Sequence, residues 1–482
     1  MHGRLRGHIL WLAVAACAGE DVTAPRPGEP RIITAVTTPN PFSSIAPFFD
    51  VEAEGAEFVR VLYGAEGEVP ESGPRVRLSS GRARIPVLGL RSGTTYAAVV
   101  EVVGAGGRAR SDTVRFSTGP LPELLQRVSI ATSGPGGPGL TLTAVPVGAT
   151  ALFAFAFDSA GRIRWYRQFD DPRVGGELKQ QANGNFTIYI GASFGSQPVP
   201  GHYVELTPAG DSVRSFAAPH PLYTDNHELW ITGSGSDERI HLFGYDQRVT
   251  DLTGVGGAPD APLAGHTLLR LRPDGTTELE WIAWDHLRLS DWIEPPIPGP
   301  VDPLQPDFDH PNAIAFDRAG DYIVSWRNLG EVTKIDAVTG DIRWRLGGNN
   351  NQFAFIGDPL GGFSAQHSPK ILAGGNLLLY DNGTRHLPAE SRAVEYALDT
   401  TAMTATMVWE YRHVPAIYTP FVGSVQRLEN GRTLIGWGSV GRATETGGDG
   451  EPPWEAEIRL DGNPAFVYRV VRITSLYRYG VP

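Results

Sequence analysis

The stretch HPNAIAFDRAGDYIVSWRNLGEVTKIDAVTGDIRW, residues 310–344, decides the fold, because it contains one complete unit that recurs along the chain. Two markers define the unit. The first is the turn AGD at 319–321 between two apolar runs, and the second is the turn TGD at 339–341 before a strand with a tryptophan. Short apolar runs bounded by such turns are typical of β-strands.

Both markers recur through the rest of the chain. The first turn returns as NGN at 183–185, GGN at 374–376 and NGR at 430–432, and the tryptophan strand as AGRIRWY at 160–166 and DGTTELEW at 274–281. MVWEY at 407–411 and AFVY at 465–468 are predicted to repeat that strand. The units fall at 138–169, 177–216, 225–284, 310–347, 366–411 and 421–471.

Six such units predict an all-β fold, a six-bladed β-propeller over residues 120–482. A solenoid would need a regular short period, and a two-sheet sandwich would not produce six similar units. The formal net charge of −12 argues against a nucleic-acid partner.

The N-terminus has the pattern of an export signal. Arg4 and Arg6 precede the short apolar run ILWLAV at 9–14, and VAAC at 14–17 resembles a bacterial lipobox. We expect removal of residues 1–16, acylation of Cys17 and a lipidated tether at 17–29. A plain signal peptide or a start site assigned too early are the alternatives. This pattern predicts a secreted protein anchored in the bacterial envelope, in the periplasm or outer membrane, that meets the membrane only through its lipid.

Residues 30–119 have the strand pattern of a β-sandwich. LGLRSGTTY at 88–96 is similar to the corner of fibronectin type III modules, with Ser92 in place of the usual proline. Such modules are usually spacers, so we assign this segment no chemistry.

Three histidines begin strand patterns in different units: NHEL at 226–229, HPNA at 310–313 and QHSP at 366–369. If these strands are equivalent, His227, His310 and His367 converge on the centre of the propeller. We therefore expect a chemical site there.

Hairpin spacing adds further residues to this site, because residues equidistant from a turn face each other. Arg327 should face His310, and Asn312 shares the face of His310. Tyr380 and Asn382 should lie opposite His367, and Tyr245 opposite His227. We predict substrate contacts for Tyr245, Tyr380 and Asn382, although either tyrosine could equally be core.

Arginine and asparagine are donors suited to a tetrahedral oxyanion, and histidine serves as nucleophile, acid or base near neutral pH. The set requires no carboxylate, which disfavours glycoside hydrolysis. Three histidines could also bind a metal in a hydrolase or lyase, but the arginine would repel a cation.

These residues resemble the bacterial arylsulfotransferases over about 121–482, in the motifs DNHE at 225–228, DHPNA at 309–313, SWRN at 325–328 and QHSP at 366–369. The resemblance implies transfer of a sulfuryl group from an aryl sulfate to a phenolic acceptor, without a cofactor, a metal or PAPS. His367 would carry the sulfuryl group as a sulfohistidine. His227, His310, Asn312 and Arg327 would hold the sulfate oxygens.

The chain departs from that family by lacking the cysteine pair of some members, by its fibronectin-like segment and by its lipid signal. If water replaces the phenol, the same site is a sulfatase. The competing interpretation is a non-catalytic propeller that binds a small molecule, polymer or protein at the envelope. Oligomerisation is left open.

Overall fold

A computed structural model describes residues 28–148, 151–170, 176–191, 201–255, 257–293, 307–447 and 452–477. In these ranges the chain is almost entirely β, which confirms the all-β prediction. The described helical segments are one α-helix, Ala283–His286, and the 3-10 turns Leu125–Arg127, Gly235–Asp237, Thr253–Val255, Leu289–Asp291 and Gly438–Val440. No helix in these ranges is long and apolar enough to cross a bilayer. Cys17 and the predicted signal peptide lie outside the described residues.

The first part of the described chain is a sandwich of two antiparallel sheets. One sheet has β1 (Arg31–Asn40), β2 (Ser43–Glu54) and β6 (Arg82–Pro86). The other has β3 (Phe58–Ala65), β4 (Glu71–Ser72), β5 (Val76–Arg77), β7 (Thr95–Gly104), β8 (Gly107–Arg110) and β9 (Val114–Ser117).

Alternate residues of both sandwich sheets point inward and form one apolar core that includes Phe49, Val61 and Val100. The backbone N–H of Arg91 donates to the hydroxyl of Tyr96 at 2.8 Å, a corner seen in many β-sandwiches. Assignment to the fibronectin type III family stays a prediction.

From residue 128 onward, the described residues form six antiparallel sheets, numbered here along the chain. Sheet 1 contains β11 (Leu140–Val147), β12 (Ala151–Phe157) and β13 (Ile163–Phe169). Sheet 2 contains β14 (Leu178–Gln180), β15 (Phe186–Ile190), β16 (His202–Leu206) and β17 (Ser212–Phe216). Sheet 3 contains β18 (Tyr223–Thr232), β19 (Arg239–Thr250), β20 (Ala261–Leu271) and β21 (Thr277–Ile282).

Sheet 4 contains β22 (Pro311–Phe316), β23 (Tyr322–Trp326), β24 (Glu331–Ile335) and β25 (Ile342–Gly347). Sheet 5 contains β27 (His367–Ile371), β28 (Leu377–Asp381), β29 (Arg392–Asp399) and β30 (Thr404–Tyr411), with β26 (Ala354–Ile356) parallel to β30. Sheet 6 contains β31 (Ser424–Arg427), β32 (Thr433–Gly436), β33 (Arg442–Glu445), β34 (Trp454–Leu460) and the short β35 (Asn463–Pro464).

The two ends of this region close the ring by exchanging strands. β36 (Val471–Ile473) pairs with β11 as the inner strand of sheet 1, and β10 (Val128–Ser133) pairs with β34 on the outer side of sheet 6. Among the described residues, six apolar clusters lie between consecutive sheets, including one between sheets 6 and 1. The sheets therefore form a closed, propeller-like ring.

Tryptophans of the outer strands join neighbouring sheets, which explains the second sequence marker. The indole N–H donates to a turn carbonyl of the next sheet in three places: Trp165 to Pro208 at 2.7 Å, Trp281 to Gly340 at 2.9 Å and Trp454 to Ser159 at 2.8 Å. Each such bond contributes about 1 kcal/mol in addition to burial of the ring.

One predicted strand is wrong. AFVY at 465–468 forms no strand, because β34 with Trp454 already fills the fourth position of sheet 6. The chain instead turns at Asp461 and Gly462, both at positive φ, and returns toward the centre of the ring. There the hydroxyl of Tyr468 donates to the carbonyl of His227 at 3.3 Å, just before β36 begins.

Candidate active site

The three predicted histidines belong to the inner strands of sheets 3, 4 and 5, two at the strand start as predicted and His227 in the middle of its strand. His227 lies in β18, His310 directly before β22, and His367 is the first residue of β27. These inner strands contact one another in ring order, and the rings of His227 and His310 are 4.6 Å apart between centroids. We call these three residues the histidine cluster.

Each of these histidines sits at an irregularity in strand pairing. The register shifts between Thr224 and Leu229, between Pro311 and Ala313, and between His367 and Lys370. His310 itself has a φ of 44°, in the left-handed region that a β-carbon disfavours. Such bulges re-aim side chains and are common beside active sites.

Two of the three hairpin pairings expected from the turn spacing are present. The backbone N–H of Arg327 donates to the carbonyl of His310 at 2.9 Å, and His367 pairs with Tyr380 across β27 and β28. The third pairing differs from the prediction: Tyr245 pairs with Tyr223, and His227 falls in the irregular stretch between the pairs Thr224–Gly244 and Leu229–Leu242.

An acceptor fixes Nδ1 of every ring in the histidine cluster. Nδ1 lies 2.9 Å from Asp225 Oδ1 in His227, 2.5 Å from Asp307 Oδ2 in His310, and 2.7 Å from Asn382 Oδ1 in His367. An acceptor at Nδ1 selects the tautomer with hydrogen on Nδ1 and a lone pair on Nε2. In His367 that lone pair accepts a long hydrogen bond from Val422 N–H at 3.2 Å.

His367 differs from the other two rings because its partner is an amide rather than a carboxylate. Burial and the nearby guanidinium of Arg327 hold the pKa of His367 well below its ordinary value, although the bond to Asn382 opposes the shift. Burial, which outweighs the attraction of Asp307, also lowers the pKa of His310 to about 4. His310 and His367 are therefore neutral at pH 7, and a neutral imidazole is a nucleophile.

Arg327 brings a buried positive charge to the cluster, with 4 % of its surface exposed. It donates to Asn328 Oδ1 at 2.6 Å and to the carbonyl of Pro420 at 3.0 Å, so its side chain is fixed. A buried, fixed guanidinium suits the oxygens of a sulfuryl group.

Asn312 is used differently from Arg327. Its Nδ2–H donates to the carbonyl of Gln366 at 2.7 Å, next to His367, and Asn312 is fully buried. Its side chain therefore joins sheets 4 and 5 through one of its two amide N–H groups.

The three predicted substrate contacts have different environments. Tyr245 is half-buried beside another ring, that of His266. Tyr380 is completely buried and hydrogen-bonded to Thr419 Oγ1 at 2.6 Å, so it belongs to the packing between sheets 5 and 6. Asn382 is also completely buried and holds Nδ1 of His367.

A fourth histidine, not predicted from the sequence, lies against this cluster. Its Nδ1 is 2.6 Å from Asp309 Oδ1, and His266, Asp307 and Asp309 each offer one ligand atom within 4.8 Å of the others. That spacing would admit a metal ion, but the same atoms already take part in hydrogen bonds with one another and with backbone N–H groups. The spacings Asp225-x-His227 and Asp307-x-x-His310 could have indicated two of the carboxylates. No local signal indicates His266.

Next to the histidine cluster, ionised side chains from different parts of the ring form what we call the charge network: Glu177, Lys179, Glu228 and Arg469. Lys179 Nζ contacts both carboxylates, at 2.7 Å for Glu177, and Arg469 Nη1 lies 3.0 Å from each of them. Arg469 Nη2 also donates to the carbonyl of Asn312 at 2.7 Å.

The two carboxylates of the charge network respond differently to burial. Burial and the neighbouring Glu228 raise the pKa of Glu177 to about 7. In Glu228, burial acts in the same direction, but Arg469 and Lys179 outweigh it and lower the pKa to about 2. The two cations therefore face two different carboxylates. Glu228 stays ionised at neutral pH, whereas Glu177 is easily protonated.

Comparison with known proteins gives one specific result. The family model described as Arylsulfotransferase (ASST) matches residues 132–467. No curated protein matches the chain.

Similar solved structures share low identity with this chain. A protein of unknown function from Bacteroides caccae is 14% identical, with 70% of this chain and 100% of that chain covered and a TM-score of 0.43. A catalytically inactive virginiamycin B lyase from Staphylococcus aureus with quinupristin is 10% identical, with 72% and 100% covered and a TM-score of 0.34. At these values the likenesses indicate nothing about activity.

The ring of sheets and the buried histidines on its inner strands define an all-β protein with a candidate active site. The region matched by the family model, residues 132–467, spans most of this ring. The chain belongs to the arylsulfotransferase family. Membership supports an aryl sulfotransferase activity on small molecules in general terms.

Proposed function

We propose that the ring is a six-bladed β-propeller whose centre transfers a sulfuryl group from an aryl sulfate to a phenol through a sulfohistidine on His367. The observation that carries this proposal is the hydrogen bond that His367 Nδ1–H donates to Asn382 Oδ1 at 2.7 Å, which places the lone pair on Nε2, with the guanidinium of Arg327 nearby. No activated nucleotide such as PAPS is needed, because the aryl sulfate is itself the donor.

In the first step, the Nε2 lone pair of His367 attacks sulfur, a nitrogen–sulfur bond forms, and the bond from sulfur to the aryl oxygen breaks. The aryloxide leaves with that electron pair and takes up a proton. The N–H of Val422, which now donates to Nε2, must yield to the incoming sulfur. In the second step, the acceptor oxygen attacks sulfur, loses its proton and releases His367.

Arg327 stabilises negative charge on the oxygens of sulfur as the transition state forms. The proton carrier is one of the other two rings of the histidine cluster, His227 or His310. The leaving aryloxide takes its proton from solvent, and the Nε2 lone pair of the carrier ring later accepts the proton of the phenol and returns it to solvent. Asn312 and Asn382 position these groups through the contacts described above.

The predicted lipid anchor on Cys17 and an envelope location remain part of the proposal. They follow from the lipobox-like sequence VAAC at 14–17 alone. Palmitate labelling of the expressed full chain, compared with Cys17→Ala, tests them independently of the chemistry.

The test of the chemistry is release of a chromophore from an aryl sulfate, with and without added phenol, by the wild type and by His367→Gln. We expect phenol-dependent release, loss of at least about a thousandfold in the variant, and a [35S]sulfuryl label on the wild type alone. His241→Gln is the matched control, since His241 is equally buried but bonds Thr232 and Tyr322 away from the site.

Release that needs no phenol would instead make the enzyme a sulfatase. Unchanged activity in His367→Gln would overturn the sulfohistidine. A wild type silent with every donor and acceptor would favour a binding propeller.

A further inference from the structure

His266 on β20 is completely buried and faces three carboxylates from two sheets. Its Nδ1 is 2.6 Å from Asp309 Oδ1 and 3.8 Å from Asp307 Oδ1, and its Nε2 is 3.5 Å from Asp225 Oδ2. Its backbone N–H also donates to Asp309 Oδ2 at 2.9 Å. One imidazole thus lies between all three acids.

Two of those acids are the same ones that orient the histidine cluster. Asp225 holds Nδ1 of His227, and Asp307 holds Nδ1 of His310. Asp309 instead accepts from the backbone N–H of His310 at 2.9 Å. The carboxylates that orient the rings of His227 and His310 are therefore also in contact with His266.

The charge of the surrounding carboxylates determines the protonation state of His266. The neighbouring imidazoles outweigh burial and hold the pKa values of Asp225 and Asp307 below their ordinary values, whereas burial raises that of Asp309. Two ionised carboxylates buried together require a positive partner, since unpaired buried charges cost several kcal/mol each. His227 and His310 supply hydrogen bonds to them. A doubly protonated His266 has an N–H for Asp309 on one side, and on the other its Nε2 lies at ion-pair distance from Asp225, 3.5 Å, without a hydrogen bond.

The surroundings favour that charged form. Burial alone would lower the pKa of His266, but Asp309, Asp307 and Asp225 outweigh it and raise the pKa well above its ordinary value. The ring of Tyr245 lies 5.7 Å from the imidazole between centroids, and a tyrosine ring attracts a nearby cation.

We infer that His266 is a positioning residue: an imidazolium that ties Asp225, Asp307 and Asp309 together and thereby keeps His227 and His310 in their Nδ1–H forms. Its effect on catalysis rests on the proposed sulfuryl transfer. Its effect on the protonation of the two rings does not.

The first experiment reads protonation directly. The whole chain labelled with 15N-histidine is studied by NMR at pH 7, with resonances assigned by single substitutions. We expect both nitrogens of His266 to carry hydrogen, and His227 and His310 to carry hydrogen on Nδ1. A neutral His266 would overturn the inference whether or not the protein transfers sulfate.

The second experiment uses His266→Gln, with His241→Gln as the matched buried control. Without the imidazolium, Asp307 acts unopposed on His310 and raises its pKa above the value of about 4 in the wild type. The acid limb of the pH–rate profile should therefore move up by about one unit. We expect kcat to fall roughly 10- to 100-fold with KM nearly unchanged, as when the partner of a functional histidine is lost.

Asp309→Asn is the second variant, in case His266→Gln does not fold, and should lower the pKa of His266. An unchanged pH profile and unchanged nitrogen shifts in both variants would overturn the inference. So would one equivalent of metal in the purified wild type that is lost in His266→Gln, because a metal would then hold the acids together. Absence of all sulfuryl transfer would overturn the proposed function and leave the NMR result to decide this one.

Discussion

The histidine cluster and the charge network share the inner strands of the ring but are built on opposite principles. In the charge network, each side chain lies within about 3 Å of an opposite charge, so the charges balance one another inside the protein. In the histidine cluster, an internal acceptor holds Nδ1 of each ring and thereby selects the tautomer with a lone pair on Nε2, and in His367 this lone pair accepts the long bond from Val422 N–H. Neighbouring buried polar groups can therefore serve stability in one case and reactivity in the other.

The largest expected effect is on stability and comes from the charge network. Glu228→Gln leaves Lys179 and Arg469 with one easily protonated carboxylate. We expect the free energy of unfolding to fall by about 3–5 kcal/mol, measured by urea denaturation. Glu280→Gln on the exposed side of β21 is the control, with an expected change near zero. A loss below about 1 kcal/mol would remove the distinction between the two clusters.

The next effect is on activity and comes from the histidine cluster. Arg327→Gln removes the charge opposite the sulfuryl oxygens, and we expect kcat to fall about 100- to 1000-fold. The pKa of His367 should rise, because Arg327 lowers it in the wild type. Arg343→Gln on β25, which is half exposed, is the control. If Arg327→Gln loses only stability, Arg327 belongs with the structural charges.

A smaller effect is the pH dependence of stability that Glu177 of the charge network should produce. The pKa of Glu177 is about 7 in the folded protein against an ordinary 4.5, so the native state binds this proton more tightly than the unfolded state. Stability is then lost as pH rises from about 4.5 to 7.

Measured relative to Glu177→Gln, which has no such proton, the wild type should lose about 2 kcal/mol across that window. Urea midpoints of both proteins at pH 5 and pH 8 provide the measurement. A constant difference between the two proteins would show that the pKa of Glu177 is not raised.

The smallest effect tests whether Tyr380 contacts substrate. Tyr380→Phe removes the hydroxyl bonded to Thr419, and we expect about 1 kcal/mol of lost stability. The KM for an aryl sulfate should stay unchanged, because the ring is completely buried. A raised KM at unchanged stability would restore Tyr380 as a substrate contact.

Sequence reasoning succeeds here where contacts are local. The turns near Gly320 and Gly375 determine which residues face each other in a hairpin, so the partners of His310 and His367 follow from counting along the chain. The alternation of turns and tryptophan strands likewise indicates the repeated sheets.

It fails where contacts join distant parts of the chain. His266 reaches the site through the pairing of β19 with β20 and then meets Asp309 in the segment before β22. The charge network combines residues up to 292 positions apart, such as Glu177 and Arg469. AFVY at 465–468 was misassigned because its apolar pattern suits a strand, and only the occupancy of sheet 6 by β34 excludes it.

The exchange of β10 and β36 has a consequence for how the protein is made. Sheet 1 has no inner strand until residues 471–473 arrive, and Tyr468 and Arg469 join the site in the same event. A nascent chain with five finished sheets is still an open arc with an unpaired edge, prone to associate with other chains. Closure of the ring and assembly of the site therefore occur in the same late step, the pairing of β36 with β11. Chains that lack residues 468–473 have an incomplete site.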